Sequence, residues 1–262
     1  MFPSGSWHSK MLSFTQNVLV VFGAVACSLS FMVLLNRAWA AESRRVYNDV
    51  IGWHLGMLGT TYAVVLGFML YAVWINYGTA DQNADAEANA LVNLYRLADG
   101  LPEEQGKLLK AQARTYAEIV INREWPLMAQ DRLPVDSHTP TQKMWETLMA
   151  IKSPTPGEVV AQDHALYELS AMMEHRRSRW LESASRLPGV LWWVLIVGGI
   201  LTIASSCMFG STSMRVHGVQ VFSFSLLISL VLVAVADIDR PFQGSVHVGA
   251  SAFERARQTM QN

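Results

Sequence analysis

Charge is scarce in this sequence. Lys, Arg, Asp and Glu make up 16% of the 262 residues, against about a quarter in soluble domains. The formal net charge is −1, so no basic stripe is available for nucleic acid and no nucleic-acid partner is expected. Cysteine is nearly absent. Cys27 and Cys207 are the only two, which excludes a disulfide framework, and no Cys/His cluster has metal-ligand spacing. The seven histidines are scattered without an H-E-x-x-H pair. No phosphate loop and no G-x-S-x-G elbow is present. An enzyme, a bound metal and an organic cofactor are therefore all unexpected. β-rich runs with hairpin turns are missing too, as are internal repeats.

Apolar residues fill the space that charge leaves, at 51% of the chain. They concentrate in four blocks, residues 12–35, 54–75, 190–209 and 219–236, none containing Lys, Arg, Asp or Glu. Each is about 20 residues, enough to cross the hydrocarbon core as a helix. Each is apolar on all sides, as a lipid-facing helix is and an amphipathic soluble helix is not. The first block has Lys10 before it and Ala38-Trp39-Ala40 after it, like a signal peptide. Its apolar run exceeds the usual 7–15 residues of such a segment, roughly twofold, so we read it as a retained helix.

Four spans place both termini, and everything between spans two and three, on one side. That side carries Lys10, Arg176, Arg177, Arg179, Arg186, Arg240, Arg255 and Arg257; the short loops opposite carry Arg37, Arg44, Arg45 and Arg215. The bias predicts cytoplasmic termini. The expected fold is an all-α integral membrane protein with four transmembrane helices. The expected domains are 1–77 with spans one and two, a helical cytosolic domain over 78–187, spans three and four over 188–240, and a cytosolic tail over 241–262.

In the middle segment, no proline interrupts the second span before Pro102. Ala84, Ala88, Leu91 and Tyr95 would continue it as one apolar stripe. Pro102-Glu103-Glu104 opens a further helix, expected to end around Glu124-Trp125-Pro126. Thr139-Pro140-Thr141-Gln142 and Thr155-Pro156-Gly157-Glu158 read as capping boxes, each with proline at the first helical position. The second opens a helix over about 156–187. Glu174-His175 beside Arg176-Arg177 reads as a solvated helix face, or as a site for anionic headgroups at about 1 kcal/mol per charge.

The membrane blocks carry more pattern. Gly52 and Gly56 form a G-x-x-x-G pair, and Gly59, Ala63 and Gly67 continue at spacing four. Small residues let backbones approach closely in lipid, either inside one bundle or between subunits around an axis. In the second case Thr60, Val64 and Phe68, also at spacing four, lie on one face and would line a pore. An apolar constriction there would gate by dewetting. At the end of the fourth block, Asp237 and Asp239 face the negative end of the helix dipole before Pro241. Either they pair with Arg240 or another arginine as a structural ion pair, or they mark a plain helix stop in water.

The run 64–74, VVLGFMLYAVW, resembles the second transmembrane helix of bestrophins. Arg240-Pro241-Phe242-Gln243-Gly244 resembles their Pro-Phe-Gly element. Arg123-Glu124-Trp125-Pro126 resembles their Arg-Phe-Pro motif with one residue extra. The L-G-F run, the E-W-P segment and the D-R-P-F-x-G tail together are similar to the bacterial bestrophin-like membrane proteins, over residues 52–249. That resemblance implies a pentameric channel in the bacterial inner membrane, passing small inorganic ions through a central pore. The lipid bilayer and further copies of the chain would be its partners. Its neck would fall on Thr60, Val64 and Phe68, with Thr60 smaller and more polar than the usual occupant. Gly244 is followed by Ser245-Val246-His247-Val248 and not by an acidic run, so calcium binding there is not implied. The alternative is a non-conducting membrane scaffold or sensor that binds a protein through its cytosolic helices.

Overall fold

The computed structural model describes residues 14–132, 138–152 and 155–261. Among these every regular element is helical: α1 (Phe14–Ala38), α2 (Ala41–Arg45), α3 (Asn48–Leu97), a 3₁₀ turn (Ala98–Gly100), α4 (Glu103–Ile119), a π turn (Val120–Glu124), α5 (Trp125–Ala129), α6 (His138–Met149), α7 (Pro156–Ala184), α8 (Gly189–Cys207), α9 (Met214–Ile238) and α10 (Ser251–Gln261). Four of them, α1, α3, α8 and α9, are long and apolar enough to cross a membrane. The protein is an all-α, multi-pass membrane protein. The chain divides into two compact units, residues 1–75 with 186–239 and residues 76–185 with 240–262.

In the first unit, Tyr62, Leu66 and Val73 of α3 pack with Leu195 of α8 and with Ile228 and Val235 of α9. Gly198 makes this approach possible. A Cβ there would stand 2.5 Å from the Tyr62 ring, so any larger residue drives α8 into α3. The Tyr62 hydroxyl then reaches past it and donates to the Leu195 carbonyl at 2.9 Å. In the same unit, the wholly buried Arg44 guanidinium donates to the Cys207 carbonyl at 2.9 Å and to Asn36 Oδ1. It sits near the C-terminal ends of α8 and α1, where the dipoles favour a cation. Asn48 exchanges two 2.9 Å hydrogen bonds with the backbone of Gly210.

The second unit has its own core. Ala84, Ala88, Leu91 and Leu94 of α3 are buried with Leu109, Ala113, Tyr116, Leu169, Met172 and Phe253. α3 runs unbroken to Leu97 because nothing before Pro102 removes a backbone donor. Glycine is required at Gly106, where a Cβ would lie 2.4 Å from the Ala98 carbonyl oxygen.

Where the sequence predicts a helix end around residues 124–126, the helical path instead continues to Ala129. The five-residue π turn resets the hydrogen-bond register. Pro126 thereby falls in the first turn of α5, where a missing N–H costs nothing. At α7 the capping box is formed: Thr155 Oγ1 accepts from Glu158 N, and Glu158 Oε2 accepts from Thr155 N at 2.6 Å. The box at Thr139 falls inside α6, which begins at His138, and the Thr139 side chain is outside the described set.

Candidate functional site

Two arrangements stand out, one in each unit. The first is the open face of α3 in the membrane. Its buried positions, Tyr62, Leu66 and Val73, share one side of the helix. Trp53, Gly56, Met57, Thr60, Val64, Gly67, Phe68 and Tyr71 are exposed and fall on the opposite side at 100° per residue. Thr60, Val64 and Phe68 are thus brought onto one open stripe, with Val64 54% and Phe68 64% exposed. Thr60 Oγ1 is turned back on its own helix, donating to the Gly56 carbonyl at 2.8 Å. The small-residue stripe divides. Gly52 lies 3.7 Å, measured from an added Cβ, from the Phe209 ring, whereas Gly56, Gly59 and Gly67 meet nothing within 4 Å. Ala63 is exposed as well. Inside the protomer, α3 is held by Tyr62 against Gly198 rather than by its own glycines.

The second arrangement is a buried charge network. Arg179 of α7 donates through Nε to Glu87 Oε2 at 2.6 Å and through Nη2 to Glu124 Oε2 at 2.7 Å. Arg176 Nη2 donates to Glu124 Oε1 at 2.5 Å. The Tyr116 hydroxyl donates to Glu87 Oε1 at 2.6 Å. Arg179, Glu87 and Glu124 are fully enclosed. Burial opposes the Arg179 charge, but Glu87 and then Glu124 outweigh it and hold the guanidinium above its ordinary pKa. Burial likewise pushes Glu124 up, and Arg179 and Arg176 overcome that, leaving its carboxyl below the usual range. Burial, followed by the Glu87 charge, pushes the Tyr116 phenol well above its ordinary value. With two acids and two arginines, each charge has a partner, the condition under which ions survive away from water.

This network borders the docked tail of the same unit. Trp125 packs edge-on against Phe242 at 5.7 Å and donates from Nε1 to the Val248 carbonyl at 3.0 Å. Phe253 lies 5.7 Å from the same indole. Gln243 Nε2 donates to the Met128 carbonyl and to Asp131 Oδ1, each at 3.2 Å. Two motifs more than a hundred residues apart, E-W-P and R-P-F-x-G, therefore fold against each other. Gly244, at φ 84°, takes the left-handed turn that lets the tail double back.

A family profile described as the bestrophin-like domain matches residues 22–253. The chain belongs to the bestrophin-like family. Among solved structures, the crystal structure of a membrane protein aligns with a TM-score of 0.63 at 12% identity, covering 92% of this chain and 97% of that one. At that identity the likeness shows the shared fold. Comparison with curated proteins gives no match.

In this bestrophin-like chain the acids at the end of α9 take specific places. Asp239 is the C-cap residue of α9, and its Oδ1 accepts from Leu187 N at 2.9 Å. Asp237 is buried within α9. Arg240 Nη1 donates to Gln243 Oε1 at 3.3 Å. Sequence reasoning missed the charge network. The E-H-R-R run reads as a solvated face, yet Arg176 is buried while Glu174 and Arg177 are exposed. Two signals in the sequence point inward. Arg176 and Arg179 lie on the helical face of the apolar Leu169 and Met172, and Glu87 sits within the Ala84–Leu91 stripe.

Proposed function

We propose that the protein is an oligomeric ion channel of the bacterial inner membrane, passing ions passively through a central pore lined by α3. The observation that carries this reading is the open face of α3, on which Thr60, Val64 and Phe68 stand opposite the buried Tyr62, Leu66 and Val73. A helix that turns such a face away from its own bundle suits a shared axis. The open Gly56, Ala63 and Gly67 beside it supply a surface on which backbones of neighbouring copies can approach. Five copies would be the number by analogy with bestrophins. The arginine bias supports a cytoplasmic side for both termini and the second unit. With no Lys, Arg, Asp or Glu inside the apolar block of α3, the neck would gate by wetting and not select through buried charges.

A non-conducting scaffold is the second reading. It is favoured by Val160, Tyr167 and Leu181, which leave large apolar surface on α7 at 57%, 71% and 64% exposure.

Planar-bilayer recording of the purified oligomer and its Phe68→Ala variant separates the two. The channel reading expects unitary currents whose reversal potential follows one ion, with larger conductance in the variant. Silence from both proteins, with the oligomer shown intact, refutes conduction and leaves the scaffold.

A further inference from the structure

A cleft of about 380 Å³ runs between α3 and α10, within the size range of small-molecule sites. The two helices run in the same direction. Arg255 of α10 pairs with Asp85 of α3 at 3.0 Å near one end. Near the other, Arg114 bridges the Tyr95 hydroxyl at 2.6 Å and the Met260 carbonyl at 2.9 Å. The floor is apolar and flat, formed by the buried Ala88, Ala252 and Ala256. The rim is polar, with Asn89, Asn93, Arg96 and Thr259.

The charges in this cleft do not balance. Its one carboxylate, Asp85, is already engaged by Arg255. Arg96 remains, exposed and, among the described residues, with no hydrogen bond or ion pair. The arginines that stitch α10 in place, Arg114, Arg255 and Arg257, all have partners. Arg96 also borders a second hollow of about 350 Å³, where His164 stands beside it and Asn93 donates to Glu168 at 3.2 Å. The cleft thus offers a flat apolar base, amide and hydroxyl groups at the rim, and one uncommitted planar cation whose fork suits a carboxylate or phosphate.

We propose that this cleft binds a small organic anion, an apolar body of about ten non-hydrogen atoms carrying one carboxylate or phosphate, with Arg96 as its counter-charge. The body lies on the alanine floor and the anionic group faces Arg96, with Asn89 and Thr259 placed to hydrogen-bond it. Because α10 forms one wall, occupancy tightens the docking of the C-terminal helix. The assignment does not depend on conduction.

The test uses the purified full chain in detergent, titrated with phenyl phosphate by calorimetry and followed by hydrogen exchange at α10. Expected are saturable binding, slower exchange in α10, and affinity at least tenfold weaker in Arg96→Gln but unchanged in Arg177→Gln. Arg96→Lys, which keeps a charge without the fork, should fall between. Equal affinity in Arg96→Gln overturns the role of Arg96. Inorganic phosphate binding as tightly as phenyl phosphate overturns the organic anion. Protection of α10 that appears only with phosphatidic-acid vesicles assigns the anion to a lipid headgroup and overturns a soluble ligand.

Discussion

Replacing Arg179 with methionine tests whether the second unit depends on its enclosed ions. The guanidinium holds Glu87 through two hydrogen bonds and Glu124 through one. Methionine approximates its length but leaves Glu87 with Tyr116 alone and Glu124 with Arg176 alone. Breaking a buried pair by removing one partner costs about 3–5 kcal/mol, because a carboxylate stays behind uncompensated. At about 2–4 °C per kcal/mol, the melting temperature should fall by roughly 6–20 °C. The loss should also depend on pH. Glu124 has a depressed folded pKa, so it stabilises the fold above its unfolded value, near 4.3. That share is lost as pH falls through the folded value. Arg179→Met removes the largest interaction holding the pKa down, so wild type and variant should converge only as pH falls through that depressed value. Replacing Glu87, Glu124 and Arg179 together with apolar residues should recover much of the loss. Thermal melts of the detergent-purified protein at pH 7 and at successively lower pH provide the assay. A loss below about 1 kcal/mol at pH 7 would refute the reasoning, since that is the size of an exposed pair.

Gly198→Ala pushes a methyl into the Tyr62 ring and should cost about 1–3 kcal/mol by overpacking; a double-mutant cycle with Tyr62→Ala should show strong coupling, and additive losses would reject the contact. Gly67→Leu adds bulk where the protomer has none nearby, so native mass spectrometry should find fewer oligomers while the protomer keeps its helical circular dichroism; an intact oligomer would move the subunit interface elsewhere. Asp239→Asn keeps an acceptor for the Leu187 amide but removes the charge. Impaired assembly would support an ion pair at the end of α9, and assembly like wild type would reduce Asp239 to a cap.

What the sequence revealed and what it hid follow from range. The four apolar spans, the long α3 and the Thr155 cap depend on neighbours within a turn or two, and all are present in the structure. The helix end expected near Pro126 is absent because the π turn sets that proline in a first turn, where its missing donor costs nothing. The charge network was hidden for a different reason. Glu87, Glu124 and Arg179 lie 37 to 92 residues apart, and no local pattern says that they meet. A charged residue in isolation reads as solvated; only the enclosing helices show that these are not. Arg44 is hidden in the same way. It counts as a loose loop charge in the sequence and is buried against a helix-end carbonyl in the fold.

The π turn at Val120–Glu124 has a consequence for how the family tolerates changes in length. A wide turn is the footprint of one residue added to an α-helix, absorbed as a local swelling so that the flanking chain keeps its place. The motif Arg123-Glu124-Trp125-Pro126, which resembles the Arg-Phe-Pro motif of bestrophins with one residue extra, lies where the swelling is. Relatives with the shorter motif should therefore run as plain α-helix here. Deleting one residue from this turn, in place of substituting it, should return the segment to plain α-helix while leaving Trp125 and the docked tail in step.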